Sequence, residues 1–252
     1  MLKFFWVWLF SSLSVPGAGD IVRVSAAASL HDALKAICPE FEKQSGIRVR
    51  VNTGASNLLA RQIEEGAPAD LFLSADLAQT QRLARAGLVD SATQKAWLSN
   101  RLVIAVPAGS TVRIISGHDL AGTGIRRIAL ADPTVVPAGV YAKEWLTSIG
   151  LWELVAAKVV PTENVRAALA GIESGNVDAG IVYQSDVTAS KTMKVAFEVP
   201  PAQSPKITYA KAVLKTAINQ DGARKFLDYL SSPESADIFK KLGFLVLTEK
   251  GK

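Results

Sequence analysis

The stretch Ile21-Val22-Arg23-Val24-Ser25-Ala26-Ala27-Ala28-Ser29-Leu30 decides the fold class. Its first half alternates β-branched residues in the manner of a strand, and it runs without a turn into the helical spacing of Leu30, Ala33, Leu34 and Ile37. The same succession recurs. Strand-like runs at Arg48 to Asn52, Leu71 to Ser74, Leu102 to Val106, Arg127 to Ala131 and Ala179 to Tyr183 alternate with helical patterns such as Leu30 to Gln44, Leu58 to Glu65 and Ala78 to Ala86. Such alternation predicts an α/β architecture with largely parallel sheets, in which ligands bind beyond the carboxyl ends of strands where the next helices begin.

Four stretches place small or polar residues at such beginnings: Ala26-Ala27-Ala28-Ser29, Thr53-Gly54-Ala55-Ser56-Asn57, Val136-Pro137-Ala138-Gly139 and Glu163-Asn164-Val165-Arg166. A helix start offers unpaired N–H groups and the positive end of a dipole, so several converging starts would hold a small tetrahedral anion without a cationic side chain. Taken singly, each has a plainer reading. Ser29 is a natural N-cap, with Asp32 three residues on as a variant capping box, and Asp32 would repel a nearby anion. The Gly54-Ala55-Ser56-Asn57 turn leaves the Ser56 hydroxyl free of a box partner. Pro137 suits a first helical turn and leaves the amides of Ala138 and Gly139 available. Asn164 caps the helix carrying Val165, and Arg166 reads as solvated or paired with Glu163. Tyr183, ending Ala179-Gly180-Ile181-Val182, places a phenol at a strand's carboxyl end; alone it reads as a core rim residue.

Composition excludes several classes. The 252 residues are 49% apolar and 20% charged, close to globular averages. A net charge of +5 is scattered, with short doublets such as Arg126-Arg127 and Lys240-Lys241 and no nucleic-acid reading module. Residues 1–19, with Lys3 before the apolar run Phe4 to Phe10, read as a signal peptide cleaved near Gly19; the run is too short to span a bilayer, so no stable membrane insertion is expected. The single cysteine, Cys38, reads as a small core residue. His31 and His118 lie in unrelated contexts, no Gly-x-Ser-x-Gly elbow occurs, and no metal-ligand spacing is present, so neither an enzyme nor a free metal cation is expected.

The run Asn100 to Pro107 and the run Lys206 to Val213, after Pro200, Pro201 and Pro205, read as two crossings between lobes. They divide the chain into lobe 1 (20–101 and 212–252) and an inserted lobe 2 (102–211), with helices at Asp221 to Leu230 and Pro233 to Leu242 closing lobe 1.

With these residues in view, the chain resembles the periplasmic molybdate-binding receptors of bacterial ABC transporters, a group of type II periplasmic binding proteins. The likeness is carried by Ala26-Ala27-Ala28-Ser29-Leu30, Leu59-Ala60-Arg61-Gln62-Ile63-Glu64, Gly66-Ala67-Pro68-Ala69-Asp70-Leu71-Phe72, Ser74-Ala75-Asp76, Val136-Pro137-Ala138-Gly139-Val140-Tyr141-Ala142-Lys143 and Gly180-Ile181-Val182-Tyr183-Gln184-Ser185-Asp186, in that order across the mature chain. It implies a two-lobed fold, each lobe a mostly parallel sheet flanked by helices. It also implies hydroxyl donors at Ser29, Ser56 and Tyr183 and amide donors at Ala138 and Val165. The implied ligand is molybdate or tungstate, with no cofactor. The implied role is that of a periplasmic monomer serving a permease and its ATPase. Sulfate or thiosulfate on the same fold, and a secreted serine hydrolase using Ser29 or Ser56, are the alternatives.

Overall fold

The computed structural model describes residues 21–247. The expected leader, residues 1–19 with cleavage near Gly19, lies outside the described residues.

Strand β1 (Ile21–Ala27) leads through a single 3-10 turn (Ala28–Leu30) into helix α1 (His31–Ser45). Leu34, Ile37, Cys38 and Phe41 form the buried stripe of α1, at the i, i+3, i+4, i+7 spacing of an amphipathic helix. Gly46, with φ 70°, ends it in the left-handed conformation. Then follow β2 (Arg48–Gly54), α2 (Ser56–Glu64), β3 (Leu71–Ser74), α3 (Leu77–Arg85) and β4 (Lys95–Ser99). The chain next crosses to a second group: β5 (Leu102–Pro107), β6 (Ile128–Ala131), α4 (Pro137–Ser148), α5 (Trp152–Val155), β7 (Val159–Thr162), α6 (Val165–Glu173), β8 (Ala179–Tyr183), α7 (Gln184–Thr188) and β9 (Met193–Glu198). It returns through β10 (Tyr209–Val213), α8 (Gln220–Tyr229), α9 (Pro233–Lys241) and β11 (Leu245–Val246).

Two sheets result, one of six strands in the order β11-β4-β10-β3-β1-β2 and one of five in the order β7-β6-β8-β5-β9. Each is flanked by helices, giving the expected two-lobed α/β fold. The expectation of mostly parallel sheets is corrected: both sheets are mixed. The parallel pairs are β1 with β2 and β3, and β6 with β7 and β8. These strands are linked by helical crossovers, which parallel pairing requires. The strands at the crossings, β10 in the first sheet and β5 in the second, run antiparallel to their neighbours. Tyr209, Ala210 and Lys211, which the sequence reading assigned to lobe 2, pair with β3 and β4, so the return crossing lies between Glu198 and Tyr209.

The sheets supply the core. Every residue of β8 and β10 is buried, as is β5 apart from Pro107 at its end, whereas the edge strand β2 is half exposed and carries Arg48 and Arg50 outward. Buried Asp70, just before β3, accepts hydrogen bonds from the amides of Arg23 (2.7 Å) and Ile218 (2.7 Å), tying β1 to the segment that follows β10. Among the described residues no helix is long and apolar enough to cross a membrane.

Candidate functional site

Three helices and the 3-10 turn aim their amino ends at one small cavity between the lobes. Its wall is made of Ala27, Ala28 and Ser29 at the end of β1, Gly54 to Ser56 at the start of α2, Ala75, Val136 to Ala138 at the start of α4, Asn164 and Val165 at the start of α6, and Tyr183. All five residues expected from the sequence, Ser29, Ser56, Ala138, Val165 and Tyr183, therefore line it, and all five are buried. No wall residue is charged.

Each wall segment presents donors for a local reason. Asn164 Oδ1 accepts from the amides of Arg166 (3.0 Å) and Ala167 (3.0 Å), so the side-chain cap of α6 takes those two N–H groups and not that of Val165. At α4, Pro137 occupies the first position and no side chain caps the helix, leaving the amides of Ala138 and Gly139 uncapped. Gly139 is dictated by close approach: a Cβ there would stand 1.9 Å from the carbonyl oxygen of Ala131. Small size at this position lets the helix start reach the end of β6.

The hydroxyls are more tightly specified than the sequence indicates. Ser56 Oγ accepts from the amide of Ala75 (3.0 Å), which leaves its own hydrogen free to donate. Ser29 is not the N-cap that its position suggests. It lies inside the 3-10 turn, neither that turn nor α1 has a side-chain cap, and Ser29 Oγ instead sits 2.9 Å from the hydroxyl of Tyr209. A hydroxyl engaged from across the fold is unavailable to the helix start. The Tyr183 hydroxyl is buried with no hydrogen-bond partner among the described residues. Burial, followed by the neighbouring Tyr209, Tyr141, Asp186 and Asp76, holds this phenol well above its usual pKa, so it keeps its proton. A buried hydroxyl without a partner is costly unless a ligand accepts from it.

Charge lies just outside the wall. Arg166 pairs with Asp32 at 2.7 Å, not with Glu163 as the sequence suggested. Asp186 Oδ2 accepts from the amide of Tyr183 (3.1 Å), while its Oδ1 is buried without a partner among the described residues. Burial raises Asp186 to about 7 against the pull of the Tyr183 amide and Arg166, with Asp32 adding to the rise. Tyr209, Asn100 and Asp186 were not anticipated. The Ser29–Tyr209 contact spans 180 residues, and no local pattern announces it.

Other chemistry finds little purchase here. The hydrogen-bond partners of Ser29 and Ser56 are a phenol and a backbone amide, neither of which is a general base at neutral pH. Both histidines are exposed. Burial, with Glu42 nearby, pushes the Cys38 thiol up to about 12, so it stays protonated. Among the described residues no group of three or more His, Cys, Asp or Glu is placed to hold a metal ion.

The chain matches known proteins over nearly its whole length. A family model described as bacterial extracellular solute-binding protein matches residues 22–245. The molybdate-binding protein ModA of Escherichia coli is 39% identical, covering 96% of this chain and 98% of its own. The protein of the same name from Haemophilus influenzae is 35% identical over 88% of this chain and 89% of its own. Among solved structures, the periplasmic molybdate-binding protein of Azotobacter vinelandii superposes with a TM-score of 0.83 at 24% identity, covering 90% of this chain and all of its own, which speaks for the fold. The sulfate-binding protein SubI of Mycobacterium tuberculosis shares that fold, with a TM-score of 0.80 at 22% identity over 91% of this chain and 88% of its own. On the family match and the two relatives above 30% identity, the chain belongs to the bacterial extracellular solute-binding proteins.

Proposed function

We propose that this protein is a periplasmic receptor that captures molybdate, and tungstate with it, between its two lobes and hands the anion to an ABC permease coupled to its ATPase. The observation that carries this reading is the uncharged wall of donors: Ser29, Ser56, Ala138, Val165 and Tyr183 surround one small cavity, and the Tyr183 hydroxyl lacks any partner among the described residues. A fully ionised tetrahedral oxyanion accepts at all four oxygens and suits such a wall. Four converging helix or turn starts supply the compensating positive potential. The relatives named molybdate-binding proteins support this choice among oxyanions.

Capture needs the cavity to open. The crossings between β4 and β5 and between β9 and β10 join the lobes, and we assign them as the hinge about which the lobes close. The receptor acts as a monomer, after removal of its leader near Gly19, with no cofactor and no catalytic step.

Titration calorimetry of residues 20–252 with molybdate, tungstate, sulfate and phosphate in separate runs tests the reading. One-to-one binding of molybdate and tungstate, without heat from sulfate or phosphate, is the expected result. Saturation by sulfate alone would keep the fold and replace the ligand. Silence toward all four would overturn the receptor reading.

A further inference from the structure

We propose that Tyr209 is a positioning residue for oxyanion selectivity, whose hydroxyl donates to Ser29 Oγ and thereby commits the Ser29 hydroxyl to donating into the cavity. The inference rests on the reading of that cavity as an oxyanion site.

Tyr209 is fully buried in β10 and does not line the cavity. Its hydroxyl lies 2.9 Å from Ser29 Oγ, a distance that by itself allows either atom to donate. Asn100, at the crossing between the lobes, fixes the direction. Its Oδ1 accepts from the amide of Arg101 (2.9 Å), so its Nδ2 is the end that donates to Ser185 Oγ (2.8 Å) and to the Tyr209 hydroxyl (3.4 Å). Tyr209 receives a hydrogen from Asn100 and directs its own to Ser29. Burial, with the charge of Asp186, holds the Tyr209 phenol far above its usual range, so that hydrogen is present throughout the neutral range.

Ser56 shows the same arrangement from a different source, since the amide of Ala75 occupies a lone pair of its Oγ. In both serines an acceptor site is filled from behind and the hydrogen faces the ligand. Tyr183 has no acceptor for its hydrogen among the described residues, so that hydrogen too is directed to the ligand. An oxyanion that retains a proton, such as hydrogen phosphate, would bring that hydrogen against donors alone, and a buried donor left unmatched is expensive. Sulfate, which carries no proton near neutral pH, does not meet this barrier. Tyr209 thus acts on phosphate and leaves sulfate to be discriminated by other means.

The test is displacement of bound molybdate by millimolar sulfate and, separately, by millimolar phosphate near neutral pH, in wild type, Tyr209→Phe and Asn100→Asp. Tyr209→Phe frees the Ser29 lone pair. Asn100→Asp gives the Tyr209 hydrogen a competing acceptor and turns it from Ser29. In each variant phosphate should gain roughly tenfold in displacing strength relative to sulfate, the effect of one buried hydrogen bond. General loosening of the site would move both anions together. If Tyr209→Phe fails to fold, Asn100→Asp decides. A phosphate-to-sulfate ratio unchanged in the folded variants, or loss of all oxyanion binding in both, overturns the proposal. A wild type that binds no molybdate would instead defeat the receptor reading.

Discussion

Arg166 Nη1, in the first turn of α6, lies 2.7 Å from Asp32 Oδ2, in the first turn of α1, and so joins the two lobes beside the cavity. The pair resolves a difficulty: an isolated Asp32 three residues from Ser29 would repel an oxyanion, whereas a paired one is largely neutralised. On the proposed hinge motion the pair forms as the lobes meet, so its energy would add to closure.

Both side chains are about one-third exposed, at 35% and 32%, so the bridge is partly screened by water. A double-mutant cycle of Arg166→Ala and Asp32→Ala on molybdate affinity should give a coupling of about 0.5–1 kcal/mol, shrinking in high salt. Arg166→Ala alone should weaken binding more than the double variant does, because it leaves Asp32 unpaired near the anion. Zero coupling measured by calorimetry would mean that the bridge contributes nothing to the bound state.

The three hydroxyls differ in what they cost the empty protein. Ser29→Ala, Ser56→Ala and Tyr183→Phe should each weaken molybdate binding by about 1.5–3 kcal/mol, the range for hydrogen bonds to a charged group, or roughly ten- to hundredfold in Kd. Tyr183→Phe should in addition stabilise the unliganded protein, by about 1 kcal/mol, because it removes a buried hydroxyl that has no partner. Thermal unfolding with and without molybdate separates the two effects. Wild-type affinity in both serine variants would remove the site assignment, and unchanged affinity in Tyr183→Phe would return Tyr183 to the core.

Much of this geometry is legible along the chain because it is local. Asn164 caps α6, Pro137 opens α4, and β3 and β8 occupy the runs Leu71 to Ser74 and Ala179 to Tyr183 that their composition marks. The helix starts follow from such short-range rules, and so does their placement around one cavity once the strands are ordered. What is not legible depends on partners far away in sequence. Ser29 has every feature of a cap, yet Tyr209 takes its hydroxyl. Arg166 stands near Glu163 in the chain but reaches Asp32, 134 residues away. The antiparallel entry of β10 also escapes a local reading, since strand direction is set by the crossing and not by the alternation within Lys206 to Val213.

Gly139 tests whether the backbone of α4, as distinct from any side chain, forms part of the wall. A methyl group there would meet the carbonyl oxygen of Ala131 at 1.9 Å and that of Asp132 at 2.6 Å, both backbone atoms that cannot swing aside. Gly139→Ala must therefore push the start of α4 away from β6, carrying the Ala138 amide with it. Overpacking of this kind costs about 1–3 kcal/mol or more of stability. Molybdate affinity should fall at least roughly tenfold beyond that, since a donor is displaced from a charged ligand. Gly171→Ala, inside α6 on the same lobe with nothing within 4 Å of the added methyl, is the control: it should leave affinity unchanged and raise stability by about 0.5–1 kcal/mol, the helix preference of Ala over Gly. Equal affinity in the two variants would remove the α4 amides from the site.

Asp186 gives the protein a pH dependence whose sign can be worked out. Its carboxyl is raised from 3.8 to about 7 chiefly by burial. Between those values the folded protein holds a proton that the unfolded chain has lost, so stability declines as pH rises through this window and levels off above it. Asp186→Asn keeps an oxygen to accept from the Tyr183 amide and cannot ionise. It should be more stable than wild type at about pH 8, with the advantage vanishing toward about pH 4. An oxyanion in the cavity next to Tyr183 would raise Asp186 further, so wild type should take up protons on binding and lose affinity between about pH 6 and pH 8, while Asp186→Asn stays flat. Calorimetry in two buffers of different ionisation enthalpy measures the proton uptake directly. Identical pH slopes in wild type and variant, for both unfolding and binding, would show that Asp186 does not titrate in this range.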